Sequence, residues 1–114
     1  MTAVDLNKQI VFQPRGHRFD LETADRLKQQ LAKIRSDRYP VLVVDMTHVE
    51  FIDSPGLGTL VMGLKTARQQ GCRLVICNLQ PSVRLIFEIS QLDRAFEIVD
   101  SLDAVLSQEV KLAA

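Results

Sequence analysis

The chain has 114 residues, 46% of them apolar and 25% charged, which suits one globular domain with its own core and leaves little room for two. Fourteen basic and fourteen acidic residues cancel, so the basic surface of a nucleic-acid domain is missing. No apolar run approaches the roughly 18 residues of a membrane span, and Met1-Thr2-Ala3-Val4-Asp5 lacks the basic and apolar regions of a signal peptide.

In chain order, residues 1–8 give no strong signal. Gln9-Ile10-Val11-Phe12-Gln13 reads as a short strand, closed by Pro14-Arg15-Gly16. Asp20 then stands at a helix start with Glu22 in the first turn. Leu21, Ala24, Leu27, Leu31 and Ile34 follow at steps of three and four, which predicts an amphipathic helix over roughly residues 21–35. A loop around Asp37-Arg38-Tyr39-Pro40 ends it. Val41-Leu42-Val43-Val44-Asp45-Met46 is nearly all apolar, as a strand covered on both faces should be. Asp45 within it reads as managing the strand edge or a local hydrogen bond.

Phe51 and Ile52 lead into Asp53-Ser54-Pro55-Gly56, where helical spacing resumes at Leu57, Leu60, Val61 and Leu64. Met62 on this helix reads as core rather than contact. Gly71 is placed as the C′ residue that stops it. Leu74-Val75-Ile76 is the next strand, and Pro81 or Ser82 opens a short helix with Val83, Ile86, Phe87 and Ile89. Phe96-Glu97-Ile98-Val99 is a last strand. Asp100 or Ser101 caps a final helix with Leu102, Val105, Leu106 and Val110. Alternation of apolar strands with helices predicts an α/β fold of about four strands and about four helices in a single domain.

Cys72 and Cys77 flank Leu74-Val75-Ile76 and point to opposite faces of that strand, so they read as two buried small hydrophobes in a reducing compartment, not as a disulfide or a metal site. The expected location is the cytoplasm. No cofactor or metal is expected, and a net charge of zero permits a monomer or a weak dimer.

The chemistry concentrates at Ser54. Serine before proline predicts an N-cap at Ser54 with Pro55 at N1. Ser54 is then either a cap alone or a hydroxyl presented where α/β proteins place their sites. A phosphate there would meet the positive end of the helix, with the amides of Gly56 and Leu57 as donors because Pro55 has none. Gly56 would let a partner approach closely. A serine nucleophile needs a histidine base, and nothing places His17 or His48 against Ser54, so no catalytic residue is assigned. Gly56-Leu57-Gly58 lacks the ending of a phosphate loop. Asp20 is either a cap alone or also a surface carboxylate beside Ser54, and the exposed part of the second helix includes Thr59.

These segments together resemble the STAS domain, the fold of anti-sigma factor antagonists. The resemblance is carried by Gly16 to Asp20 with Thr23-Ala24 and Leu27, by Val43-Val44-Asp45-Met46, and by Val49 through Gly58. Gly71 through Cys77 and Pro81 through Phe87 complete it, over about residues 9–106. It implies a mixed sheet packed against helices and a partner switch. An anti-sigma factor that is also a serine kinase would phosphorylate Ser54, a serine phosphatase would reset it, and only the unphosphorylated form would bind the anti-sigma factor. Asp20, Asp53, Ser54, Gly56 and Thr59 are the expected partner-binding residues. Pro55 departs from the family, which usually carries a second Ser or Thr there. The alternative is a STAS accessory subunit of a transporter or other assembly that does not use the serine; a serine hydrolase is more remote.

Overall fold

The computed structural model describes residues 2–6, 9–33 and 41–104, the first five as backbone only. β1 (Thr2–Leu6) pairs antiparallel with β2 (Gln9–Gln13), Val4 opposite Val11. β1 falls where the sequence gives no periodic signal, because its pairing is supplied by the edge of β2. β3 (Arg18–Phe19) leads into α1 (Leu21–Lys33). Ile34, Arg35 and the loop expected at Asp37-Arg38-Tyr39-Pro40 lie outside the described residues.

β4 (Val41–Asp45) is buried along its whole length. It lies between β2 and β6, which explains its unbroken apolar run. β5 (Phe51–Ile52), α2 (Ser54–Gln69), β6 (Arg73–Cys77), α3 (Pro81–Ile89), a 3-10 turn at Leu92–Arg94 and β7 (Glu97–Val99) follow. The main sheet runs β1-β2-β4-β6-β7, parallel except for β1, so the expected mixed sheet is present with one strand more. Residues 102–104 are helical, and the Ser101 hydroxyl accepts from the Ala104 amide at 3.2 Å, as a cap does. Val105, Leu106 and Val110 of the expected last helix lie outside the described residues.

The three helices share one face of the sheet. Ala24, Leu27 and Leu31 of α1, Leu60, Leu64 and Ala67 of α2, and Val83 and Phe87 of α3 pack on Phe12, Leu42, Val44, Leu74 and Ile76. Each fully buried Leu, Ile or Phe contributes about 1.5–3 kcal/mol of hydrophobic free energy. The other face carries Val11, Val41, Val43, Val75 and Cys77, against which Val99 and Leu102 pack. Cys72 belongs to the first cluster and Cys77 to the second, so the two thiols do lie on opposite sides of the sheet.

Candidate functional site

A second, two-stranded sheet decides where Ser54 sits. β3 and β5 pair in parallel, Arg18 opposite Phe51 and Phe19 opposite Ile52. The His17 carbonyl accepts from the amides of Glu50 at 2.7 Å and Phe51 at 3.1 Å, and the Phe19 carbonyl from Asp53 at 3.4 Å. Phe19 and Ile52 turn into the core, while Arg18 and Phe51 face out with the guanidinium 4.9 Å from the ring centroid. Parallel strands end on the same side, and here each runs directly into a helix. The starts of α1 and α2 are therefore neighbours.

Asp20 caps α1. Its carboxylate accepts from the Thr23 amide at 3.1 Å and the Thr23 hydroxyl at 3.2 Å, and its carbonyl takes the Ala24 amide at 2.9 Å. The Thr23 amide, outweighing partial desolvation, holds the Asp20 carboxyl below the usual carboxylate range.

The cap of α2 is Asp53, not Ser54. Asp53 has extended backbone at φ −89° and ψ 171°, its Oδ1 accepts from the Gly56 amide at 2.7 Å, and its carbonyl accepts from Leu57 at 2.8 Å. Pairing with β3 carries extended backbone as far as Asp53, so the helix begins one residue earlier than serine-before-proline predicts. Ser54 becomes the first helical residue and Pro55 the second. Ser54 is exposed, and its hydroxyl bonds to no described residue. The two amides expected to receive a phosphate, Gly56 and Leu57, are both already engaged by Asp53.

Gly56 is where the two helix starts meet. A β-carbon there would lie 2.1 Å from the Phe19 carbonyl oxygen and 2.9 Å from Asp53 Oδ1. Its backbone already approaches β3 closely and is buried, so its first role is internal. The Thr59 hydroxyl donates back to the Pro55 carbonyl at 3.0 Å, with the residue half-buried. His17 Nδ1 lies 3.6 Å from a Glu50 carboxylate oxygen, both exposed, and His48 is exposed in the loop after β4; no hydrogen bond joins either to Ser54 among the described residues.

Asp45, buried at the end of β4, does more than its local sequence suggests. It accepts from Gln13 Nε2 at 3.0 Å, from the Thr47 amide at 3.1 Å, from the Thr47 hydroxyl, and from Asn78 Nδ2 at 2.9 Å. Burial alone would raise its pKa; the hydroxyl and amide donors of Thr47, Asn78 and Gln13 outweigh it and hold the carboxyl low. One carboxylate thus joins the ends of β2, β4 and β6, and Asn78 sits beside it at φ 59°. Gln80 Nε2 donates to the Thr47 carbonyl and the Ser82 hydroxyl to the Glu50 carbonyl, each at 2.8 Å, tying the segment before β5 to the start of α3. Gln13, Asn78 and Gln80 carry no motif that sequence reasoning could have used.

Met62 is exposed rather than core. It borders a groove of about 280 Å³ between α1 and α2, lined also by Leu31, Ala32, Gly63 and Thr66. No helix among the described residues is long and apolar enough to cross a membrane.

A parallel sheet with an antiparallel edge, three helices on one face, and a small β3–β5 sheet presenting a serine at a helix start together define a class of domain. The sequence matches the STAS domain family over residues 3–105, and the chain belongs to that family. It is 35% identical over 79 residues to an anti-sigma-B factor antagonist of Listeria monocytogenes, a stretch covering 69% of each chain. Its structure is similar to an anti-sigma factor antagonist from Mycobacterium paratuberculosis, with a TM-score of 0.76, 25% identity and coverage of 94% of this chain and 90% of that one. It shares the fold of a sulfate transporter family protein from Wolinella succinogenes, with a TM-score of 0.83, 21% identity and coverage of 96% and 91%.

Proposed function

We propose that this STAS domain is an anti-sigma factor antagonist whose binding is gated by phosphorylation of Ser54. The observation that carries the reading is the division of labour in the turn. Asp53 takes over the cap, so the Ser54 hydroxyl is exposed and bonds to no described residue. A kinase can engage that hydroxyl without first breaking a capping bond.

In the transfer, Ser54 Oγ forms a bond to the γ-phosphorus of ATP as the bond to the β-phosphate oxygen breaks. ADP leaves, and the hydroxyl proton passes to a base on the kinase. The chain is the substrate of this step and not its catalyst. The phosphate adds about 1.5–2 negative charges to a surface that already holds Asp20 and Asp53. Asp20, Asp53, Ser54 and Thr59 form the partner-binding rim, and Gly56 holds the two helix starts together beneath it. The unmodified form binds the anti-sigma factor, which is also the serine kinase; the phosphorylated form is released, and a serine phosphatase restores it. This exchange belongs to the cytoplasm.

Incubation with the anti-sigma kinase and ATP is expected to add one phosphate at Ser54, read by mass spectrometry, and none to Ser54→Ala. In calorimetric titration against the same partner, Ser54→Asp should bind at least about tenfold more weakly than Ser54→Ala, equivalent to roughly 1.4 kcal/mol. Equal affinity of the two variants would contradict a charge gate.

A further inference from the structure

Phosphate at the start of a helix usually gains new hydrogen bonds from free backbone amides, which partly neutralise it. Here, among the described residues, the one amide of the turn that no acceptor holds is that of Ser54 itself. Pro55 lacks an N–H, the Gly56 amide is held by Asp53 Oδ1 at 2.7 Å, and the Leu57 amide by the Asp53 carbonyl at 2.8 Å. Asp53 cannot easily swing aside, because its backbone is pinned by the Phe19 carbonyl and Gly56 is pressed against the same peptide.

We infer that Asp53 is a positioning residue for the switch: by keeping the Gly56 amide, its carboxylate prevents the Ser54 phosphate from folding back over the first turn of the helix, so that the phosphate faces the partner with no helix amide beyond its own. The inference rests on Ser54 being the modified residue and adds how the charge is displayed. The group transferred is the γ-phosphoryl of ATP, as above, and no further bond changes. The charged groups on the elements around the turn are Asp20, Glu22 and Arg26 at the start of α1, Arg18 on β3, and Glu50, beside His17, before β5. Asp53 is the charge within the turn itself.

The test uses the full chain with phosphoserine installed at position 54 during translation, so no kinase is needed. Absence of any kinase acting on Ser54 would sink the switch and leave this measurement unaffected. In amide NMR the Gly56 resonance should keep the position it has in the unmodified protein and should not follow the phosphate through its titration. In phosphorus NMR the second pKa should lie above the ordinary value of about 6. Asp53→Asn, which keeps the cap and removes the charge, should lower that pKa by about half a unit. In Asp53→Ala the cap is gone, and the Gly56 amide should now titrate with the phosphate. A Gly56 resonance that follows the phosphate in the otherwise unaltered chain overturns the inference. So does a phosphate pKa indifferent to Asp53→Asn, which also serves if Asp53→Ala does not fold.

Discussion

Asp53 and Ser54 divide two tasks that the local sequence assigns to one residue. If Asp53 is the cap, Asp53→Ala should cost about 0.5–2 kcal/mol of unfolding free energy. Ser54→Ala should change it by only a few tenths, since the hydroxyl caps nothing. Urea denaturation of the two variants separates these roles; a larger loss in Ser54→Ala would return the cap to serine. The two glycines that follow should behave oppositely. Gly56→Ala drives a β-carbon into the Phe19 carbonyl and should destabilise by about 1–3 kcal/mol or more. At Gly58 nothing lies within 4 Å of the added carbon, so Gly58→Ala should stabilise α2 by about 0.5–1 kcal/mol. Thermal melts of the pair read this directly. That a helix starts in the turn at residues 53–56 was legible from the residues themselves. Which oxygen faced which amide was not, because it depends on how far β3 carries β5 in extended form.

The elements were most legible where local rules and burial agree. Gly71 is the clearest case. It sits at φ 73°, its amide bonds to the Arg68 carbonyl at 3.2 Å, and the Cys72 amide bonds to the Ala67 carbonyl at 2.8 Å, closing α2 in a Schellman motif. Gly71→Ala should cost about 1 kcal/mol, measurable by the same denaturation. The odd spacing of Cys72 and Cys77 likewise placed them on opposite faces. Burial, with the Asp45 charge nearby, pushes the Cys77 thiol up to about 12. Neither thiol should be alkylated by iodoacetamide at neutral pH until the chain is denatured. The strands β1, β3 and β5 were not legible. Two of them are two residues long, and a segment that short has no period to detect; each exists because another strand lies beside it.

At the scale of the molecule, Asp45 connects what sequence distance separates. Its donors come from β2, from the turn after β4 and from the residue after β6, so its charge state bears on the whole sheet end. The folded pKa lies below the ordinary 3.8, so the carboxylate stabilises the fold above that value and loses the contribution as pH falls through the folded pKa. Asp45→Asn should cost about 1–3 kcal/mol near neutrality, since a second amide would face donors. The gap from the unaltered chain should be constant down to about pH 4 and narrow below it, when denaturation midpoints are followed against pH. A gap that stayed constant into strong acid would remove the charge from the argument.

The sequence by itself determined the α/β class, the alternation of β2, α1, β4, α2, β6, α3 and β7, the two-sided burial of β4 and the position of the serine. Each of these follows from periodicity, capping preference or a local motif, which act over a few residues. Only the tertiary structure decided that β3 lies against β5, that the starts of α1 and α2 are neighbours, and that Asp20 and Asp53 cap those two adjoining helices. It also moved the cap from Ser54 to Asp53 and so left the hydroxyl without a capping bond. These are consequences of contacts between segments more than thirty residues apart in the chain, and no local pattern encodes the register at which two such segments meet.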